Sequence, residues 1–99
     1  MLQEKIQLTD KKADGYVMPL GPVNLVYVVT DVGMVGCGAF DVAALDKFRY
    51  PAARVRPTRG DSISTIDDLL VGEVKEANEA AASLGVKIGM AGREALDHM

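Results

Sequence analysis

Residues 23–30 read Val-Asn-Leu-Val-Tyr-Val-Val-Thr, and no other segment constrains the fold as much. In an extended chain successive side chains point to opposite faces. Val23, Leu25, Tyr27 and Val29 then share one face, and Val26 and Val28 the other. Apolar residues on both faces predict a strand covered on both sides, and therefore central in a sheet. A chain of 99 residues buries about 64% of its unfolded surface, which is enough for one thin core. One domain over residues 1–99 is expected. Aromatics are 5% of the chain and Trp is absent, so that core must be built from Val, Leu, Ile, Ala and Met.

The remaining elements arrange themselves around that strand. Leu2, Ile6 and Leu8 alternate with Gln3, Lys5 and Gln7, the period of a half-buried strand. Asp14-Gly15 predicts a turn, and Tyr16–Leu20 a second strand that Pro19 and Pro22 make an edge or a bend. Asp31-Val32-Gly33 predicts a hairpin with Gly33 in the left-handed region, and Met34–Phe40 the returning strand. Asp41 caps a helix that carries Val42, Leu45 and Phe48 inward and stops near Tyr50, before Pro51. Arg54–Thr58 reads as a short extended segment. Ser64 or Thr65, with Asp67 and Asp68, opens another helix that Gly72 breaks.

Glu73–Leu84 has the strongest helical spacing, with Val74, Ala77, Ala81 and Leu84 in one stripe and Lys75 and Glu79 as an i,i+4 pair. Gly85 is placed as its C′ residue, followed by the apolar Val86. Val86, Ile88 and Met90 alternate as a last strand, and Gly92–Met99 as a last helix. This order predicts an α+β fold: a mixed, mostly antiparallel sheet with helices packed on one face. Residues 1–30 are expected to form an N-terminal β-ribbon set apart from the body at 31–99. Such a ribbon is marginal in water, so it is expected to dock on another subunit.

Composition excludes several function classes. Net charge is −3, the wrong sign for a nucleic-acid footprint. The charge is uneven: Arg54, Arg56 and Arg59 against Asp61 make a local +2, whereas residues 67–84 carry a local −4. A small anion could meet the first patch, and a polyanion would be repelled by the second. No run approaches the ~20 apolar residues of a membrane span. Cys37 is the one cysteine, which fits a reducing compartment, so the cytoplasm is expected. No Cys/His cluster suggests a metal, and the glycine spacing G-x-x-G-x-G at 33–38 is not a dinucleotide fingerprint, so no cofactor is expected.

Two segments could carry chemistry. In Gly33–Asp41, glycines at 36 and 38 would let a ligand approach the backbone, and Cys37 would lie near the helix begun by Asp41. The same small residues would also fit beneath an alanine-rich helix. In Gly89–Leu96, Arg93 sits in a first helical turn, where the dipole disfavours a cation. That suggests a carboxylate or a bound anion as its partner, although the neighbouring Glu94 offsets the dipole. The candidate residues are therefore Cys37 as a nucleophile, and Gly36, Gly38, Asp41, Gly92, Arg93 and Glu94 around a ligand. His98, near the chain end, is a poor base.

Gly36-Cys37-Gly38-Ala39-Phe40-Asp41-Val42, Thr65-Ile66-Asp67-Asp68-Leu69-Leu70 and Gly89-Met90-Ala91-Gly92-Arg93-Glu94-Ala95-Leu96 follow one another in this order. Together they resemble the YunC-like family, a domain of unknown function, over roughly residues 15–99. The resemblance implies a small α+β fold whose N-terminal β region mediates tetramer formation. It implies no established activity. Members often carry Ser or Thr before Gly-Arg-Glu; here Ala91 stands there and forgoes a helix cap worth about 1 kcal/mol. The expected function is a small cytosolic homo-oligomeric domain that binds a small anion. The alternatives are an enzyme with Cys37 as nucleophile and a module for a protein partner.

Overall fold

The computed structural model describes residues 1–99. Ten elements follow one another: β1 (Leu2–Gln7), β2 (Lys12–Pro19), β3 (Asn24–Val29), β4 (Met34–Gly36), α1 (Val42–Asp46), β5 (Ala52–Arg56), α2 (Ile66–Val71), β6 (Glu73–Ala77), α3 (Glu79–Ala82) and α4 (Gly92–Asp97). The strands form one six-stranded sheet in the order β1-β2-β3-β4-β5-β6. All neighbours are antiparallel except β4 and β5, which the α1 crossover leaves parallel. This is the mixed, mostly antiparallel α+β architecture expected from the residues.

The core lies mainly on one face. Val26 and Val28 of β3 and Val35 of β4 are fully buried there, with Ala53, Val55 and Val74 from β5 and β6. Leu69 of α2 and Leu96 of α4 close over them. The opposite parity of the same strands supplies Met34 and Ala52, which form a smaller cluster with Val42 of α1, and Tyr27, Val29 and Phe40 pack against it. So β3 is covered on both faces, as its sequence requires.

The N-terminal strands do not sit apart. Ile6, Leu8, Ala13 and Val17 belong to the main core cluster. The accessible surface is 5534 Å², and a compact chain of this mass is expected to show about 5,500 Å²; a projecting ribbon would have raised it. The turn between β1 and β2 lies at Leu8–Lys11, where the Leu8 N–H donates to the Lys11 carbonyl at 2.7 Å. Asp14 and Gly15 are inside β2 instead. Gly15 leaves room for packing: a Cβ would stand 2.7 Å from Cδ1 of Ile66, and the tip of that side chain would have to turn aside. β2 is also no edge; Pro19 merely ends it, opposite Asn24.

Gly33 likewise serves packing rather than a left-handed turn. The Thr30 hydroxyl accepts from the N–H groups of Val32 and Gly33 and organises the bend. A Cβ on Gly33 would lie 2.4 Å from the Pro51 carbonyl oxygen. β4 is short because the chain folds back at Cys37, with the Phe40 N–H donating to the Cys37 carbonyl at 3.3 Å. Phe40 then stacks over Gly36, where a Cβ would be 2.3 Å from its ring. Asp41 caps α1 by accepting from Ala44 N–H at 3.0 Å. α1 closes early in i→i+3 bonds at Phe48 and Arg49, and Arg49 takes φ 55°. Phe48 is therefore 78% exposed, not inward as its spacing suggested.

The largest departure is at 73–84. Residues 73–77 are a strand, and only Glu79–Ala82 is helical. Local propensity favours a helix, but the β5 partner overrides it. Glu76 pairs with Arg54 and Glu73 with Arg56 across the two strands, and Val74 joins the core. The Lys75–Glu79 pair does not form. Gly85 keeps its expected role: it takes φ 102°, and the Gly85→Ala82 and Val86→Ala81 backbone bonds complete a Schellman end. Val86–Met90 is a turn instead of a strand. Val74 N–H donates to Met90 O at 2.7 Å and Gly89 N–H to Val74 O at 2.9 Å, so this turn covers the free edge of β6.

Thr65 and Asp68 form a full capping box on α2. Asp68 accepts from the backbone N–H of Ser64 and Thr65 and faces Arg59 at 3.4 Å. The Ser64 bond above all, with the Thr65 bonds and Arg59, holds its pKa below the ordinary 3.8. The folded state thus binds this proton less tightly than the unfolded state. The contribution is fully present above the unfolded value and is lost as pH falls through the lower folded value. Asp68→Asn should lower the melting temperature at pH 7, and the gap to the parent should close progressively as pH drops below about 4. A gap independent of pH would show that the carboxylate charge is irrelevant to the cap.

Candidate functional site

β4 and β5 run parallel, but they do not end together. β4 turns away at Cys37–Gly38, whereas β5 continues to Arg56. The divergence opens a cleft of about 330 Å³ at the carboxyl ends of the pair. Cys37, Val55 and Ile63 form its floor, and all three are buried. Arg54, Arg56 and Lys75 stand around it, with Ser62 and Gly38.

A β-bulge brings the third cation in. Arg54 pairs with Glu76 and Val55 with Val74, so Lys75 is the extra residue on β6. Bulges re-aim a side chain out of the regular alternation, and here Lys75 lines the cleft. Its ammonium makes no ion pair. Arg54 donates from Nε to Glu76 Oε1 at 2.7 Å and reaches the Gly38 carbonyl at 3.4 Å. Arg56 is paired with Glu73. The two glutamates thereby orient the guanidinium groups, and three cations against two carboxylates leave a net positive rim. No carboxylate or imidazole lines the cleft itself.

The residues nominated from sequence divide into two groups. Cys37 and Gly38 lie in the cleft. Cys37 is 7% exposed, and its N–H donates to Val26 O at 3.0 Å, so it is also part of the core. A Cβ on Gly38 would meet only Arg54 Nη1, at 3.9 Å. The others have structural tasks elsewhere. Gly36 makes room for Phe40, and Asp41 caps α1. The Gly92 N–H donates to Gly72 O at 2.9 Å. Glu94 Oε1 accepts from the Ala91 N–H at 3.2 Å, the half of a capping box that Ala91 leaves possible. Arg93 finds a neutral partner: its Nη1 donates to the Gln7 carbonyl at 2.9 Å, tying α4 to β1. Arg93 lines none of the three clefts and is not brought together with Cys37 there.

Lys75 was missed because it was placed on a helix, where it could not share a surface with Arg54 and Arg56. The alternation Glu73-Val74-Lys75 was the available signal. A larger cleft of about 680 Å³ lies between α1 and α3. It holds Arg49 beside Asp46 and Glu79, and an Asp46 oxygen is already used by the Ala80 N–H at 3.0 Å. Acidic residues outnumber Arg49 there, and no nominated residue lines it. No group of His, Cys, Asp and Glu is arranged to hold a metal ion, and no helix is long and apolar enough to cross a membrane.

Comparison with known proteins extends the sequence resemblance. Uncharacterized protein YunC of Bacillus subtilis (strain 168) is 39% identical over 77 residues, which cover 78% of this chain and 75% of that protein. The crystal structure of a protein of unknown function, TA1206 from Thermoplasma acidophilum, matches with a TM-score of 0.85 at 25% identity, over 97% of this chain and 89% of that one. A family model described as a domain of unknown function (DUF1805) matches residues 36–99, which include the whole of the Cys37 cleft. The chain belongs to this YunC-like family, DUF1805.

Proposed function

We propose that this chain is a small-anion-binding domain and that the Cys37 cleft is its site. The observation that carries the reading is the convergence of Arg54, Arg56 and the unpaired, bulge-presented Lys75 on one concavity. Fixed donors and uncompensated positive charge favour an anion there. Cys37 belongs to the floor of this site, and in a reducing cytoplasm it stays a thiol. Its burial, and the lack of a neighbouring imidazole or carboxylate, support binding over nucleophilic chemistry.

An acetate titration at constant ionic strength, followed by amide NMR, tests the reading. Saturable shifts should centre on Gly38, Arg56 and Lys75, and Lys75→Ala should weaken binding up to about fivefold, the upper end for one exposed charge. Shifts that are linear in concentration, or spread over the surface, would rule the site out.

A second reading, self-association, is supported by a different surface. Met1, Leu2, Leu20 and Val23 are exposed large apolar residues. Leu2 lies opposite Val17, and residues 20–23 form the adjoining turn, so all four gather at one end of β1–β3. Beside the open edge of β1, such a patch suits contact with another copy. The expected product is a homo-oligomer, with four copies the number the family resemblance implies. Light scattering at micromolar concentration should give a multiple of the 10.6 kDa chain, and Leu2→Lys with Leu20→Lys should reduce it. A monomeric parent would end this reading.

A further inference from the structure

The cleft is chemically two-sided, and this narrows the class of anion it takes. Cys37, Val55 and Ile63 at its floor are buried, with Pro57 beside them. The cations are at its mouth: the side chain of Arg54 is 28% exposed and that of Arg56 60% exposed, and Lys75 is exposed. An inorganic oxyanion would use only the mouth and leave the apolar floor without a partner. The volume of 330 Å³ is at the small end of the range for ligand pockets. The excess of one cation over the two neighbouring glutamates matches a single negative charge.

Resting on the anion-binding reading above, we infer that the ligand is a small organic monocarboxylate, its carboxylate between Lys75 and the two arginines and a short apolar body against Val55 and Ile63. The apolar floor then supplies affinity, and the cationic mouth supplies orientation.

The test compares acetate, butanoate and neutral butanamide with the intact chain, by amide NMR titration at constant ionic strength. Each buried methylene is worth about a fourfold gain, so two partly buried ones should make butanoate bind about tenfold tighter than acetate. Butanamide should bind at least about tenfold more weakly than butanoate, for loss of the charge-assisted contacts. Ile63→Val, a change cores usually tolerate, should narrow the butanoate advantage over acetate. Equal affinity for acetate and butanoate would overturn the inference while leaving the anion reading intact. Butanamide binding as well as butanoate would also overturn it, because the charge would not be read. Absence of saturable binding by all three would remove both readings.

Discussion

Asn78→Ala should destabilise the chain by about 4 kcal/mol, among the largest losses available to a single substitution here. Asn78 is 6% exposed and uses its whole amide. Oδ1 accepts from the N–H of Ala52 at 3.1 Å and of Ala81 at 2.9 Å. Nδ2 donates to the carbonyls of Val42 at 3.0 Å and Tyr50 at 2.8 Å. One side chain thus ties the start of β5, the start of α1, the approach to Pro51 and the first turn of α3. Alanine would remove a side-chain partner from four backbone groups, costing about 1–3 kcal/mol for each that is left dry and unpaired, and water entry would offset part of the sum. A domain with a typical total of about 5–15 kcal/mol would lose much of its margin. Asn78→Asp should be no rescue, since it removes both donors and buries a charge. Urea unfolding measures the effect; a shift below about 1 kcal/mol would show that the four groups find other partners.

Gly92→Ala should cost about 3 kcal/mol or more, for a different reason. A Cβ there would lie 2.2 Å from the Leu69 carbonyl oxygen. Both sides of that clash are backbone, so no rotamer relieves it. Either α4 lifts from α2, opening the contact between Leu69 and Leu96, or the Gly92–Gly72 hydrogen bond breaks. Gly38→Ala is the control. Its nearest neighbour would be an arginine tip at 3.9 Å, and Gly38 does not have a positive φ. It should change stability by no more than about 0.5 kcal/mol. Comparable melting temperatures for the two variants would contradict the packing account.

Both residues also show where the sequence can be read and where it cannot. β3 was legible because a two-faced apolar strand has few alternatives. The start of α2 and the end of α3 were legible because Thr65 and Gly85 act through bonds three to five residues apart. Asn78 was hidden inside a stretch whose Glu, Ala and Lys content favours a helix. Its cap bond to Ala81 was local and detectable, but its bonds to Val42, Tyr50 and Ala52 depend on tertiary placement. The same displacement hid Lys75 from Arg54 and Arg56. Glycines posed the complementary difficulty. Gly33 looks like a turn residue and Gly92 like a helix start, yet each is required by a backbone carbonyl far away in the chain, that of Pro51 and that of Leu69. Half of the candidate site, Cys37 and Gly38, was visible as a glycine-flanked thiol. Arg54 and Arg56 were visible as a basic segment, but Lys75 depends on one bulge and could not be placed beside them without the β5–β6 register.

The turn at Val86–Met90 has a consequence for how far the sheet can grow. It takes up the outward N–H and C=O of Val74 on β6, so β1 is the edge left for hydrogen-bonded extension along its whole length. A strand added there by a second, identical molecule in antiparallel register uses up the sole vacant side of both. Growth by that route stops at a closed pair related by a twofold axis, and larger even-numbered assemblies must be built through faces. Strand-to-strand extension by that route is therefore self-limiting by geometry.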